Sequence, residues 1–261
     1  MKKDSLGNRM KEYYENVYRI KLTRRTPVII RLDGKAFHTL TRRCEKPFDD
    51  EFWQAMHLTT WALCSEIQGV KCAYMQSDEI SILLSDFDTI RTGAWFDYNL
   101  QKMVSISASI ASVTFSEAYK KYALFDARAF NVPKEDVKNY FIWRQTDWIR
   151  NSVQMLAQAY YSHKQLYKCN QADMHEMLHE KRVNWASLAP HWKNGTFLFK
   201  DNDSKFKALY NLVLTRDERP MIGSVFDFLV WTNESFRDRV IEIERSHDNN
   251  IKPYLNFEHI K

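Results

Sequence analysis

The sequence is sparing with residues that break or soften a chain. Its 261 residues include only six glycines and six prolines, and nothing gathers them into a long flexible linker. No run approaches the ~18 consecutive apolar residues that span a bilayer, so neither a transmembrane helix nor a membrane partner is expected. Lys2 and Lys3 have no apolar run behind them, which argues against a secretory signal. There are four cysteines, Cys44, Cys64, Cys72 and Cys169. None belongs to a C-x-x-C pair, which argues against a zinc ribbon. Thiols scattered in this way are expected to be reduced, in a cytoplasmic protein. Internal repeats and low-complexity segments are also missing.

What is present suits a folded chain. Apolar residues make up 44%, aromatics 14% and charged residues 27%, enough for a sizeable core. The net charge of +5 permits a nucleic-acid partner without requiring one.

Met10, Tyr13, Tyr14, Val17 and Tyr18 recur at helical steps and predict an N-terminal helix. Pro27 to Asp33 is a short β-branched run ending at Asp-Gly and reads as a buried strand. Asp49 to Gln68 predicts a helix capped by Asp49 or Asp50, with Phe52, Met56, Trp61, Cys64 and Ile67 on its packed face. Gly69 ends it. Val70 to Gln76 and Ile80 to Leu84 predict a hairpin around Ser77-Asp78-Glu79. A helix rich in small residues, from about Asn99 to Tyr122, precedes a strand from Phe125 to Phe130. Pro133 then opens a helix at its first-turn position, running to about Tyr161. The order strand, helix, strand, strand, helix, strand is the split βαβ arrangement. The fold class is therefore α+β, an antiparallel sheet with helices on one face. Beyond Ser162 the reading is a helix near Gln171–Arg182, a hairpin near Thr196–Leu214 and a charged tail.

Asp33 ends the first strand, and Asp78 and Glu79 sit at the hairpin turn. In a split βαβ sheet these strand ends adjoin, so the carboxylates should converge. Hard oxygen ligands at one edge suit Mg²⁺, which takes carboxylates together with substrate phosphates. Gly34, lacking a Cβ, would let its backbone approach a phosphate or a metal. Taken singly, Asp-Gly after a strand and Asp-Glu at a hairpin tip are in most proteins only turns.

Arg31-Leu-Asp-Gly-Lys-Ala-Phe-His38, Lys46-Pro47, Gln76-Ser-Asp-Glu79 and Trp143-Arg-Gln-Thr-Asp147 together resemble the histidine-tRNA guanylyltransferase family. The likeness runs to about Phe199 and is nearest to the guanylyltransferase-like branch that repairs tRNA 5′ ends. It implies a palm-like catalytic domain over 1–161, with 162–261 as a C-terminal helix and hairpin extension packed on it. It also implies polymerisation in the 3′-to-5′ direction with two Mg²⁺ ions, ATP and GTP, on the 5′ end of tRNA, by a homotetramer. Asp33 and Asp78 match the metal carboxylates, Gly34 a carbonyl ligand, and Glu79 an acidic neighbour needed for activity. Lys35, Ala36, Phe37 and His38 match the loop around the triphosphate. Lys46 and Ser77 match positions near the activating nucleotide, and Asn151 fits a nucleotide contact. Arg31, Arg128, Arg144 and Arg150 are candidate RNA contacts, as are Lys21, Arg24, Arg25, Arg42 and Arg43. In one respect the chain departs from the pattern. Eukaryotic members carry His-Ile-Asn-Asn where this sequence has Ile149-Arg-Asn-Ser152. That change favours templated 5′-end repair over addition of one guanosine to histidine tRNA.

Three other readings compete. His175-Glu-Met-Leu-His179 matches the H-E-x-x-H zinc metalloprotease signature. Its flanks are charged, and no third ligand follows at a known spacing. Nucleotide cyclases share a palm-like sheet with paired acids. A non-catalytic RNA-binding module would not need converging carboxylates.

Overall fold

A computed structural model describes residues 5–200, 206–210 and 214. The centre is a six-stranded antiparallel sheet in the order β4-β1-β3-β2-β5-β6. Its strands are β1 (Val28–Gly34), β2 (Val70–Gln76), β3 (Glu79–Leu84), β4 (Phe125–Asn131), β5 (Thr196–Lys200) and β6 (Phe206–Leu209). β1 lies between β3 and β4, in registers that set Asp33 opposite both Glu79 and Asp126.

Alternation along the strands feeds two cores. Val28, Ile30, Leu32, Ile80, Ile82 and Leu84 point to one face, under α3 (Asp50–Glu66) and α4 (Leu100–Tyr119). Ile29, Cys72, Tyr74 and Leu83 point to the other, under Val137, Tyr140 and Phe141 of α5 (Lys134–Tyr160). The two helices of the split βαβ unit therefore share a face as expected. The expectation of helices on one face alone needs correcting for α5, which covers the opposite face. Coverage on both sides explains why every residue of β3 is buried.

Local chemistry sets the helix limits. Asp49 caps α3, its Oδ1 accepting from the Phe52 N–H at 2.8 Å. Gly69, at φ +84°, turns the chain into β2 where a Cβ would stand 2.7 Å from the Ser85 carbonyl. Asn99 caps α4, accepting from the Lys102 N–H at 3.1 Å. Pro133 stands at the cap position of α5, one residue earlier than its expected first-turn place. Trp61 was expected on the packed face of α3 but is 38% exposed. Met56, Thr60, Leu63, Cys64 and Ile67 form the helical stripe, and Trp61 lies well round the helix from it.

The N-terminal segment is helical but irregular. It begins as α1 (Leu6–Met10), continues as a π-helical turn (Lys11–Glu15) and ends as a 3₁₀ turn (Asn16–Tyr18). Its apolar face is uncovered among the described residues, with Tyr18 71% exposed. Two further helices, α2 (Phe37–Leu40) and α7 (Pro190–Asn194), are short. α6 (Gln171–Glu180) carries a capping box of Asn170 and Asp173 and packs Met174 and Leu178 on the second half of α5. The hairpin expected after Thr196 forms as β5 and β6. β5 pairs with β2, so this late segment completes the central sheet. The expected charged tail lies outside the described residues.

Candidate active site

Two backbone facts bring the acids together. The hairpin turn between β2 and β3 consists of Ser77 and Asp78, with Ser77 at φ +46°. The Gly34 N–H donates to the Asp78 carbonyl at 3.1 Å, tying the end of β1 to that turn. Asp33, Asp78, Ser77 and Asn151 consequently line one cleft, whose far wall is α5.

Among the described residues, neither Asp33 nor Asp78 is ion-paired with a Lys or Arg. Burial pushes Asp78 up to about 6, and the charges of Asp33 and Glu79 add to that rise. Burial also raises Asp33, with Glu79 and Asp126 contributing. Two unpaired carboxylates that repel one another form a donor set a divalent cation would relieve. No group of three His, Cys, Asp or Glu side chains able to hold a metal exists among the described residues. Two carboxylates at one edge supply part of a hard divalent cation's oxygen shell and leave the rest to other oxygens.

The loop after Gly34 is built from the core outward. The Lys35 N–H donates to the Leu124 carbonyl at 2.8 Å, and Ala36 turns through the left-handed region. Phe37 then points inward, with Phe115 and Phe125 rings at 5.1 and 5.0 Å. Its side chain is core, so its expected nucleotide contact is limited to the backbone. Packing alone also requires a glycine at position 34. A Cβ there would lie 2.5 Å from the Phe37 ring, so the ring fills the space. Lys35 on the loop and His38 in α2 are both exposed.

A second, aromatic cleft adjoins the first. Lys46, Phe48, Trp53, His191 and Trp192 line it, while Gln76, Ser77, Trp148 and Met155 line both clefts. Phe48 and Trp192 stack at 4.8 Å and 11°. The Lys46 ammonium donates to the Thr41 carbonyl at 3.2 Å. Trp148, His191 and Trp192 were missed in the sequence, where nothing distinguishes them from core aromatics.

The arginines divide. Arg128 and Arg150 are exposed, as an RNA contact requires. Arg31 and Arg144 meet Glu79: Arg144, 5% exposed, grips it with two nitrogens, and the partly buried Arg31 donates with one. Of the other cations, Lys21 pairs with Asp97, and Arg24 pairs with Asp86 and Asp97. The H-E-x-x-H segment lies on α6, with Glu176 and His179 exposed and His175 edge-on to Trp185. It gathers no third ligand among the described residues, and the metalloprotease reading is dropped.

The tRNAHis guanylyltransferase family model matches residues 7–133. A bacterial tRNA(His) guanylyltransferase-like protein in complex with ATP is 43% identical, with a TM-score of 0.77 over 87% of this chain and 100% of that one. A second such structure, in complex with GTP, is 44% identical, with a TM-score of 0.69 over 78% and 89%. The tRNA(His) guanylyltransferase of Saccharomyces cerevisiae, at 19% identity and a TM-score of 0.65, shares the fold over 80% of this chain and 100% of its own. An uncharacterised protein of Acanthamoeba polyphaga mimivirus is 26% identical over 96% of this chain and 95% of its own. With two solved relatives above 40% identity, one of them spanned in full, the chain belongs to the tRNAHis guanylyltransferase family.

Proposed function

We propose that this chain adds nucleotides to the 5′ end of tRNA in the 3′-to-5′ direction and that its task is templated repair of truncated ends. It is a nucleotidyltransferase that uses ATP and GTP. The observation that carries the reading is the unpaired Asp33–Asp78 couple, opening directly onto an aromatic cleft. One cleft suits phosphates, and the other offers π-faces to a nucleobase.

Asp33 and Asp78 would hold Mg²⁺ through their carboxylates, and Gly34 through its carbonyl. Bound there, the metal lowers the pKa of an attacking hydroxyl and neutralises phosphate charge. The chain's own groups bind and orient the substrates. Lys35, His38 and the backbone of residues 36–38 face the triphosphate. Lys46 and Ser77 meet the activating nucleotide, and Asn151 closes the cleft from α5. In the first stage a 5′-monophosphate attacks the α-phosphate of ATP and pyrophosphate leaves. In the second, the 3′-hydroxyl of an incoming nucleotide attacks the activated 5′ phosphate and AMP leaves. Ile149, where eukaryotic members carry a histidine, supports repair over single guanosine addition.

No described helix is long and apolar enough to cross a membrane. All four cysteines are free, which supports a cytoplasmic site of action. Assembly as a homotetramer is supported by the uncovered apolar face of residues 6–20.

The test is incubation with 5′-truncated tRNA, ATP, labelled GTP and Mg²⁺. Extension that follows the opposite strand is expected. A single guanosine added to histidine tRNA alone would replace repair by the specialised activity.

A further inference from the structure

Glu79 directly follows Asp78 and faces Asp33 across the sheet, yet its carboxylate is already full. Arg144 grips it with a two-pronged fork, Nε donating to Oε1 and Nη2 to Oε2, both at 2.7 Å. Arg31 Nη2 donates to Oε2 at 2.6 Å, and Gln76 Nε2 to Oε1 at 3.4 Å. A carboxylate has about four acceptor sites, and all four are taken. The fork is itself held. Arg144 also donates to Asp147 at 3.2 Å, and the Trp143 ring lies 4.5 Å from its guanidinium and 5.7 Å from that of Arg31. Glu79 and Arg144 are only 6% and 5% exposed. Buried fork pairs of this kind need arginine's planar geometry, which lysine lacks.

Resting on the metal site put forward above, we propose that Arg144 is a positioning residue that acts through Glu79 to hold Asp78 in register with Asp33, and that Glu79 is not a metal ligand. The pair bolts α5 to the hairpin turn. Glu79 is the first residue of β3, so fixing its side chain fixes the two-residue turn that carries Asp78. A misplacement of about 1 Å at such a site costs on the order of 10²-fold in rate. The same helix brings Trp148 and Asn151 to the clefts, so one clamp sets both walls. The two guanidiniums also occupy the oxygens of Glu79 and leave Asp33 and Asp78 as the carboxylates open to a cation.

The experiment measures Mn²⁺ binding to the full-length protein without RNA, alongside the Mg²⁺ dependence of transfer and RNA affinity against salt. Arg144→Lys is expected to weaken Mn²⁺ binding about tenfold or more while RNA affinity stays unchanged. Glu79→Gln should weaken Mn²⁺ binding similarly, and the double variant should be no worse than the poorer single one, because both act through one contact. Trp143→Ala touches only an exposed ring, so the fold is kept if Arg144→Lys loses it. It should weaken Mn²⁺ binding severalfold in the same direction. Normal Mn²⁺ binding in Arg144→Lys and Trp143→Ala would overturn the clamp. So would weaker RNA binding with a salt slope reduced by about one in Arg144→Lys, which is the mark of a phosphate contact. Loss of Mn²⁺ binding in Glu79→Gln but not in Arg144→Lys would make Glu79 a ligand and overturn it too. A wild-type protein that binds Mn²⁺ through Asp33 and Asp78 but transfers no nucleotide overturns the function and leaves the clamp supported. One that binds no Mn²⁺ overturns both.

Discussion

Asp33 and Asp78 differ from the other acids near them in having no cationic partner among the described residues. Asp86 is paired with Arg24, Asp97 with Lys21 and Arg24, and Glu79 with two arginines. Asp33→Ala and Asp78→Ala are each expected to reduce transfer of labelled GTP by at least about 10³-fold, since several kcal/mol of charge stabilisation rest on them. Near-normal transfer by either variant would remove the metal assignment. Gly34 poses a question of space, because its backbone is not left-handed and the Phe37 ring occupies the Cβ position. Gly34→Ala should cost about 1–3 kcal/mol of stability through overpacking, read from denaturant midpoints. Gly34→Ala combined with Phe37→Leu should recover part of the loss. No recovery would mean that the ring is not the obstacle. The Asp-Gly pair is readable in the amino-acid order, but this cause of it is not. Gly34 and Phe37 are three residues apart, and only the inward turn at Ala36 puts one on the other.

Elements carry the next level of control. α3 and α7 meet at Trp53, which stacks on His57 at 5.2 Å and touches His191 at 4.7 Å. Both ring nitrogens of His57 lack a partner among the described residues. Burial lowers His57 to about 4, helped by His191, and burial lowers His191 to about 4 as well. Unfolded, each would titrate at its ordinary 6.5. Between those values the unfolded chain binds more protons than the folded one. The histidine contribution to stability is therefore complete above pH 6.5 and is lost as pH falls toward 4. The loss is on the order of a few kcal/mol, at about 1.4 kcal/mol per pKa unit. Thermal unfolding across that range should show a smaller loss in His57→Phe than in the wild type. Equal pH slopes would remove the buried-histidine account. The strands and long helices were legible because their runs and caps are local. The opposite face taken by α5 was not, since amphipathicity says that a helix packs without saying on which side of a sheet.

At the scale of the whole molecule, the uncovered face of Leu6, Met10, Tyr13, Tyr14, Val17 and Tyr18 is the largest mismatch between pattern and packing. A helical apolar period normally marks burial, yet this chain supplies nothing to bury it among its described residues. If this face carries the proposed homotetramer, changing Tyr13, Tyr14 and Tyr18 together to Ser should lower the mass read by light scattering, with the far-UV spectrum kept. An unchanged mass would place the subunit contacts elsewhere. The amino-acid order alone carried the antiparallel α+β plan, the acids at adjoining strand ends and a motif set specific to one family. Each of these depends on residues close in sequence or on local period. Folding in three dimensions settled the rest. It set Arg31 and Arg144 on Glu79, walled the second cleft with Trp148, His191 and Trp192, and laid β5 beside β2. Those contacts join residues far apart in the chain, where charge and hydrophobicity name possible partners and packing alone selects among them.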